Sequence, residues 1–162
     1  MPAALTPRRR SAALASIALG LSAALLTGCA LLEGPSPEVP ERTETAAPET
    51  APEFIPDGSA EDNLPYFTEV LRSFSAGSEP VQGAPIVQAV AEAGFDKTAM
   101  QVSFDQSKTS LPADNIFVSV RIGSDCLIGQ VVAEDRSFVA KNMPAVGPAG
   151  DICLIGETAP IG

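Results

Sequence analysis

Ile116-Phe117-Val118-Ser119-Val120-Arg121-Ile122-Gly123-Ser124-Asp125-Cys126-Leu127-Ile128-Gly129-Gln130-Val131-Val132 decides the fold. Ile116, Val118, Val120 and Ile122 alternate with Phe117, Ser119 and Arg121, a period of two that turns one side of a strand toward a core. Gly123-Ser124 or Ser124-Asp125 then supplies a two-residue hairpin turn. With either turn, Leu127 and Val131 share a face with Val118 and Val120, and Cys126 falls on the opposite face.

Outward from this hairpin the same period is present on the N-terminal side. Val102 and Phe104 alternate with Gln101, Ser103 and Asp105, which predicts another strand. Further upstream the period lengthens. Leu64, Phe67, Leu71 and Phe74 recur every three or four residues and mark one buried face of a helix. Asp62 or Asn63 is the expected cap, with Pro65 in the first turn and Gly77 as the stop. A second helix is expected over 84–93, with Ile86, Val87 and Val90 inward and Gly94 at the C′ position. Downstream, 136–146 is bounded by proline and fits no single period. A last strand is expected over 152–158. The expected fold class is α+β: two helices packed on a three- or four-stranded, mainly antiparallel sheet, with one disulfide.

That disulfide follows from the cysteines. The chain has three, and Cys126 and Cys153 each open the tetrapeptide Cys-Leu-Ile-Gly after a Gly/Asp turn signal. A Cys126–Cys153 bridge closes a loop of roughly 28 residues, worth about 3–4 kcal/mol in the chain-entropy model. The rival readings are zinc ligation and a redox pair. Two thiols with no histidine and no C-x-x-C spacing support neither.

Cys29 is left over, and its context explains it. Arg8-Arg9-Arg10 precedes a small-residue-rich apolar run over 11–26, which closes on Leu26-Thr27-Gly28-Cys29. A basic start, an apolar middle and a small-residue cleavage site make a secretory signal. The run is also shorter than the about 20 residues that span a bilayer. Leu26-Thr27-Gly28-Cys29 resembles the lipobox of bacterial lipoproteins. That resemblance implies cleavage between Gly28 and Cys29 and a diacylglyceryl group on the Cys29 thiol. The alternatives are plain secretion and an uncleaved anchor. On the lipoprotein reading, residues 1–28 are the signal peptide, 29–58 a tether and 59–162 the folded domain.

The tether assignment rests on composition. Residues 33–58 hold six prolines and seven acids, with Phe54-Ile55 as the large apolar pair. Such a segment buries too little surface to offset its chain entropy and is expected to be disordered. In a polyproline-like form it reaches at most about 80 Å.

The full chain carries 10 basic and 20 acidic side chains. Loss of residues 1–28 removes three arginines and no acid, so the mature chain is more acidic still. That charge disfavours nucleic acid and anionic headgroups as partners. The excess reads first as solubility and self-repulsion and second as a surface for a cationic partner. The lipobox resemblance implies a lipid bilayer reached through diacylglyceryl-Cys29 as a partner, and an envelope protein is the other expected one.

The residues for enzymatic chemistry are missing. There is no histidine, so Ser-His-Asp and Cys-His arrangements are impossible. Lys97, Lys108 and Lys141 stand in no S-x-x-K spacing and read as solvated charges. Glu61-Asp62 and Glu134-Asp135 read as helix-start and turn acids rather than as glycosidase carboxylates. No calcium loop, dinucleotide fingerprint or P-loop occurs. No catalytic, cofactor-binding or metal-binding residue is therefore assigned. Arg121, the charged residue within the clearest strand, is expected to pair with an acid across the strand, or else to face an anionic ligand. Tyr66 is expected at the helix edge, as a candidate interface anchor.

Asn63-Leu64-Pro65-Tyr66-Phe67, Ala93-Gly94-Phe95-Asp96-Lys97, Met100-Gln101-Val102 and Cys126-Leu127-Ile128-Gly129-Gln130 are similar to an uncharacterised domain of small actinobacterial lipoproteins. The likeness covers about residues 60–162. It implies a membrane-anchored extracytoplasmic domain of a Gram-positive cell and transfers no catalytic residue. The functional expectation is a non-enzymatic binding module at the outer face of the cell membrane. The alternative is a small-ligand sensor or a solute-capture accessory subunit of a transporter. A deep pocket lined by Arg121 would favour the ligand reading, and a flat apolar patch including Tyr66 would favour a protein partner.

Overall fold

The structure, a computed structural model, describes residues 50–162. The expected signal peptide, Gly28, Cys29 and most of the tether lie outside the described residues. Within them, α1 (Ala60–Ala76) and α2 (Gly83–Glu92) come first, followed by a short 3-10 helix (Lys97–Ala99). Four strands complete the domain: β1 (Met100–Val102), β2 (Asn115–Ile122), β3 (Asp125–Val132) and β4 (Phe138–Pro144). They form one antiparallel sheet in the order β1-β2-β3-β4, and the fold is α+β. The hairpin closes as the alternation dictates. Ile122 pairs with Asp125 and Val120 with Leu127, so Gly123-Ser124 is the turn, with Gly123 at φ 63°.

The helices lie on the face that carries Val118, Val120, Leu127 and Val131. Phe67, Leu71 and Phe74 of α1 and Ile86, Val87 and Val90 of α2 complete the core there. Gly129 allows the close approach of α1. A Cβ at that position would stand 2.5 Å from Leu71 Cδ1 and 3.2 Å from Phe67 Cζ.

Helix α1 starts earlier than the sequence suggests. The N-cap is Ser59, not Asp62 or Asn63. Asp62 N–H donates to Ser59 Oγ at 3.1 Å, and Ser59 N–H donates to Asp62 Oδ2 at 2.9 Å, a reciprocal capping box. The Ser59 hydroxyl and N–H together hold the Asp62 carboxyl below its ordinary value. Pro65 consequently sits beyond the first turn, where the Glu61 carbonyl loses its helical N–H partner. Asn63 is buried and has a different task. Its amide bonds Ile55 on both sides, N–H to Oδ1 and Nδ2 to O, each at 2.9 Å. Phe54 packs at 4.9 Å from Phe95 and 5.8 Å from Tyr66, centroid to centroid. The folded unit thus takes in Phe54 and Ile55, which the composition had placed in the tether.

Helix α2 ends as predicted. Gly94, at φ 101°, donates to Ala91 O and Phe95 N–H donates to Val90 O, the paired bonds of a Schellman motif. Its N-terminus is held from outside. Gly83 N–H donates to Asp105 Oδ1 at 2.6 Å. This contact shortens β1 to three residues. Ser103 N–H still donates to Phe117 O, but the chain then turns so that Asp105 reaches α2. Phe104, expected within the strand, is outside it and exposed.

The C-terminal expectation is also corrected. Residues 152–158 form no strand. The chain touches the sheet through one isolated bridge, Val102 of β1 with Ala159, while a second bridge, Val146 with Ile152, closes the loop after β4 on itself. Cys153 is bonded to Cys126, which points away from the helices. The bridge therefore holds this segment over the sheet, out of reach of a strand ladder. The fourth strand is instead β4, drawn from the unassigned stretch 136–146.

Candidate functional site

With both helices on one side, the other side of the sheet is left without a helical cover. Three cross-strand rows define it: Phe117, Gln130 and Val139; Ser119, Ile128 and Lys141; Arg121, Cys126 and Met143. A strap formed by Cys153, Leu154 and the residues after them crosses one part of this face. It is fixed at two points. The disulfide joins Cys126 and Cys153 with their Cα atoms 5.6 Å apart. Gln101 Oε1, from β1, accepts from Cys153 N–H at 2.8 Å and Leu154 N–H at 2.9 Å, taking the place of a backbone ladder.

Between strap and sheet lies a cavity of about 360 Å³, floored by Phe117 and Ile128 and walled by Ser103, Cys153, Leu154, Ile155, Glu157 and Thr158. Ile155 is 91% exposed at its rim, and Phe117 and Met143 are 37% and 50% exposed on the sheet. These three apolar side chains are exposed, Phe117 and Ile155 at the cavity and Met143 two strands away from Phe117.

A second cavity, of about 280 Å³, lies between the first turn of α2 and residues 159–162. Its polar groups already have partners. Asp105 caps Gly83 N–H, and Lys97 Nζ donates to the Gly162 carbonyl. The Asp105 carboxylate at the helix N-terminus repels an anion there, and this cavity reads as a seam between packed segments.

Cys126 and Cys153 are joined as predicted. Arg121 is not paired with an acid across the strand. Its cross-strand neighbour is Cys126, while Asp125 faces the helix side, and Arg121 Nη1 donates to Gly123 O at 3.1 Å. Arg121 also lines neither cavity. Tyr66 is half-buried, not a free anchor: its hydroxyl donates to Ala93 O at 3.1 Å and its ring joins Phe54 and Phe95. Of the lysines, Lys108 pairs with Glu157 at the surface and Lys141 is exposed on the open face. The acidic pairs act locally. Asp62 closes the capping box, and Asp135 Oδ1 accepts from Ser137 N–H at 2.9 Å. Among the described residues no three Cys, Asp or Glu side chains converge as a metal site, and no helix is long and apolar enough to cross a membrane.

The sequence reading missed the open face because its parts are far apart in the chain. Phe117, Met143 and Ile155 each look unremarkable alone. The available signal was Phe117 itself, a large apolar residue on the outward phase of the clearest strand. A family model described as a domain of unknown function, DUF6993, matches residues 71–157. That span includes all four strands, both bridged cysteines and most of the strap. Comparison with curated proteins and with solved structures gave no match.

Proposed function

The chain belongs to this family of domains of unknown function, and from that premise we propose that it is a lipid-anchored extracytoplasmic protein whose folded domain is a non-enzymatic binding module. The anchor is a diacylglyceryl group on Cys29, at the outer face of the cell membrane, and the partner is another envelope protein. One observation carries the reading: the bridge between Cys126 and Cys153 leaves Cys29 as the one cysteine of the three outside it. It sits where Leu26-Thr27-Gly28-Cys29 ends an apolar run. A disulfide also suits an exported chain, because thiols stay reduced in the cytosol. The absence of histidine from the sequence and the apolar open face favour binding over catalysis.

The test is membrane fractionation of the full chain and its Cys29→Ser variant, with metabolic labelling by a fatty-acid analogue. The expected result is label on the parent chain and release of the variant to the soluble fraction. A variant that stays with the membrane, beside an unlabelled parent chain, would replace lipid anchoring with a spanning anchor. The size of the strap cavity, about 360 Å³, favours a second reading, capture of a small apolar ligand. Mass spectrometry of a small molecule that copurifies with the chain would select it.

A further inference from the structure

The open face differs in charge from the rest of the molecule. The chain has 20 acidic side chains, yet no residue that β1–β4 direct to this face is acidic, and the one acid that lines the strap cavity, Glu157, is paired with Lys108. The cations show the same asymmetry. Arg72 pairs with Glu69, Lys108 pairs with Glu157, Arg136 caps α1 and Lys97 reaches Gly162. Arg121 and Lys141 remain. Among the described residues neither has an acidic partner, and both lie on the open face.

We propose that this face docks an extended acidic segment of another envelope protein, which seats one apolar side chain in the cavity under the strap and sets carboxylates on Arg121 and Lys141. The proposal rests on the reading of the chain as an extracytoplasmic binding module. Charge complementarity selects this occupant. Elsewhere the acidic surface repels an acidic segment, whereas here two uncompensated cations flank apolar side chains. A membrane surface or a nucleic acid needs a broad cationic field, and two cations on an acidic molecule do not supply one.

The sheet also sets a spacing. Arg121 and Lys141 are two strands and one row apart. With strands about 4.8 Å apart and a rise of about 3.4 Å per residue, their Cα atoms are about 12 Å apart. The long side chains of Arg121 and Lys141 widen that reach, so the partner is expected to carry two carboxylates within one short extended stretch, with an apolar residue nearby. The cavity wall is held by the disulfide and by Gln101 before any partner arrives, which lowers the ordering cost of docking.

Site-specific photo-crosslinking from Met143, and separately from Phe117, tests this in the full chain in its own membranes. The expected result is an adduct with one protein, mapping to a segment with that acidic and apolar pattern. The Arg121→Glu/Lys141→Glu double variant is expected to lose the adduct by roughly tenfold or more, and added salt to weaken it. The milder Arg121→Gln/Lys141→Gln pair is expected to lose less. Non-reducing peptide mapping of Cys126–Cys153 in each variant separates lost docking from lost folding. Adducts with lipid or with a neutral or basic segment would overturn the proposal. Insensitivity to both charge variants, or no adduct from either position, would do the same. Membrane release of Cys29→Ser is scored separately, so failure of the anchor and failure of the docking face are distinguishable.

Discussion

Arg136 does at one position what α1 cannot do for itself. The last turn of α1 has no basic residue, and its final carbonyls need donors. Arg136, in the turn between β3 and β4, donates from Nη2 to Phe74 O, from Nε to Ser75 O and from Nη1 to Glu79 O, at 2.8, 2.8 and 2.9 Å. Its guanidinium also lies 5.5 Å from the centre of the Phe74 ring. In this turn, closed by Arg136 N–H to Val132 O, Arg136 adopts φ 59°, a left-handed conformation that costs a non-glycine residue about 1–2 kcal/mol. Arg136→Ala keeps that strain and removes the cap, with an expected loss of about 2–4 kcal/mol in urea unfolding. Arg136→Gly removes the cap but relieves the strain, and is expected to be about 1 kcal/mol less damaging than the alanine variant. Equal losses would show that the left-handed turn contributes nothing. Arg136 was invisible in the sequence as a cap because it lies some sixty residues from the carbonyls it serves. Ser59 was missed for a nearer reason. Asp62 and Asn63 are also good cap residues, and the burial of Asn63 against Ile55 decided which turn began the helix.

Elements follow local sequence where neighbours agree with it and depart from it where a distant contact wins. The β2–β3 hairpin and the Schellman end of α2 were legible because alternation and Gly94 fix them within a few residues. β1 and the C-terminal strap were not, since Asp105 leaves the sheet to cap α2 and Cys153 is held above it. Helix-to-sheet packing has the same long-range character. Gly129→Ala is expected to destabilise the domain by about 1–3 kcal/mol through overpacking against Leu71 and Phe67. In a Leu71→Ala background, where the crowding Cδ1 is gone, the same substitution is expected to cost much less. A full double-mutant cycle by urea unfolding checks this, and additive losses would place the crowding elsewhere.

At the scale of the whole molecule, the disulfide joins what the chain separates. It ties the strap to the middle of the sheet across a sequence separation of 27. Reduction, or replacement of both cysteines by alanine, is expected to lower stability by about 3–4 kcal/mol through the longer reach of the unfolded chain. Non-reducing mass mapping with matched urea curves measures this, and coincident curves would show that the core and Gln101 hold the strap unaided.

Local sequence specifies the α+β class, the hairpin, the inward faces of the two helices and the bridged pair of cysteines. Each of these is written in local periodicity, turn chemistry or a count of thiols. Packing sets the extent of β1, the loss of the last strand, the cap from Arg136 and the open face, whose two cations lack an acidic partner among the described residues. Those depend on which distant groups meet. A buried helix end, a carboxylate beside an N-terminus and a sulfur on the far side of a sheet each find partners through packing, and no local window of sequence contains both members of such a pair.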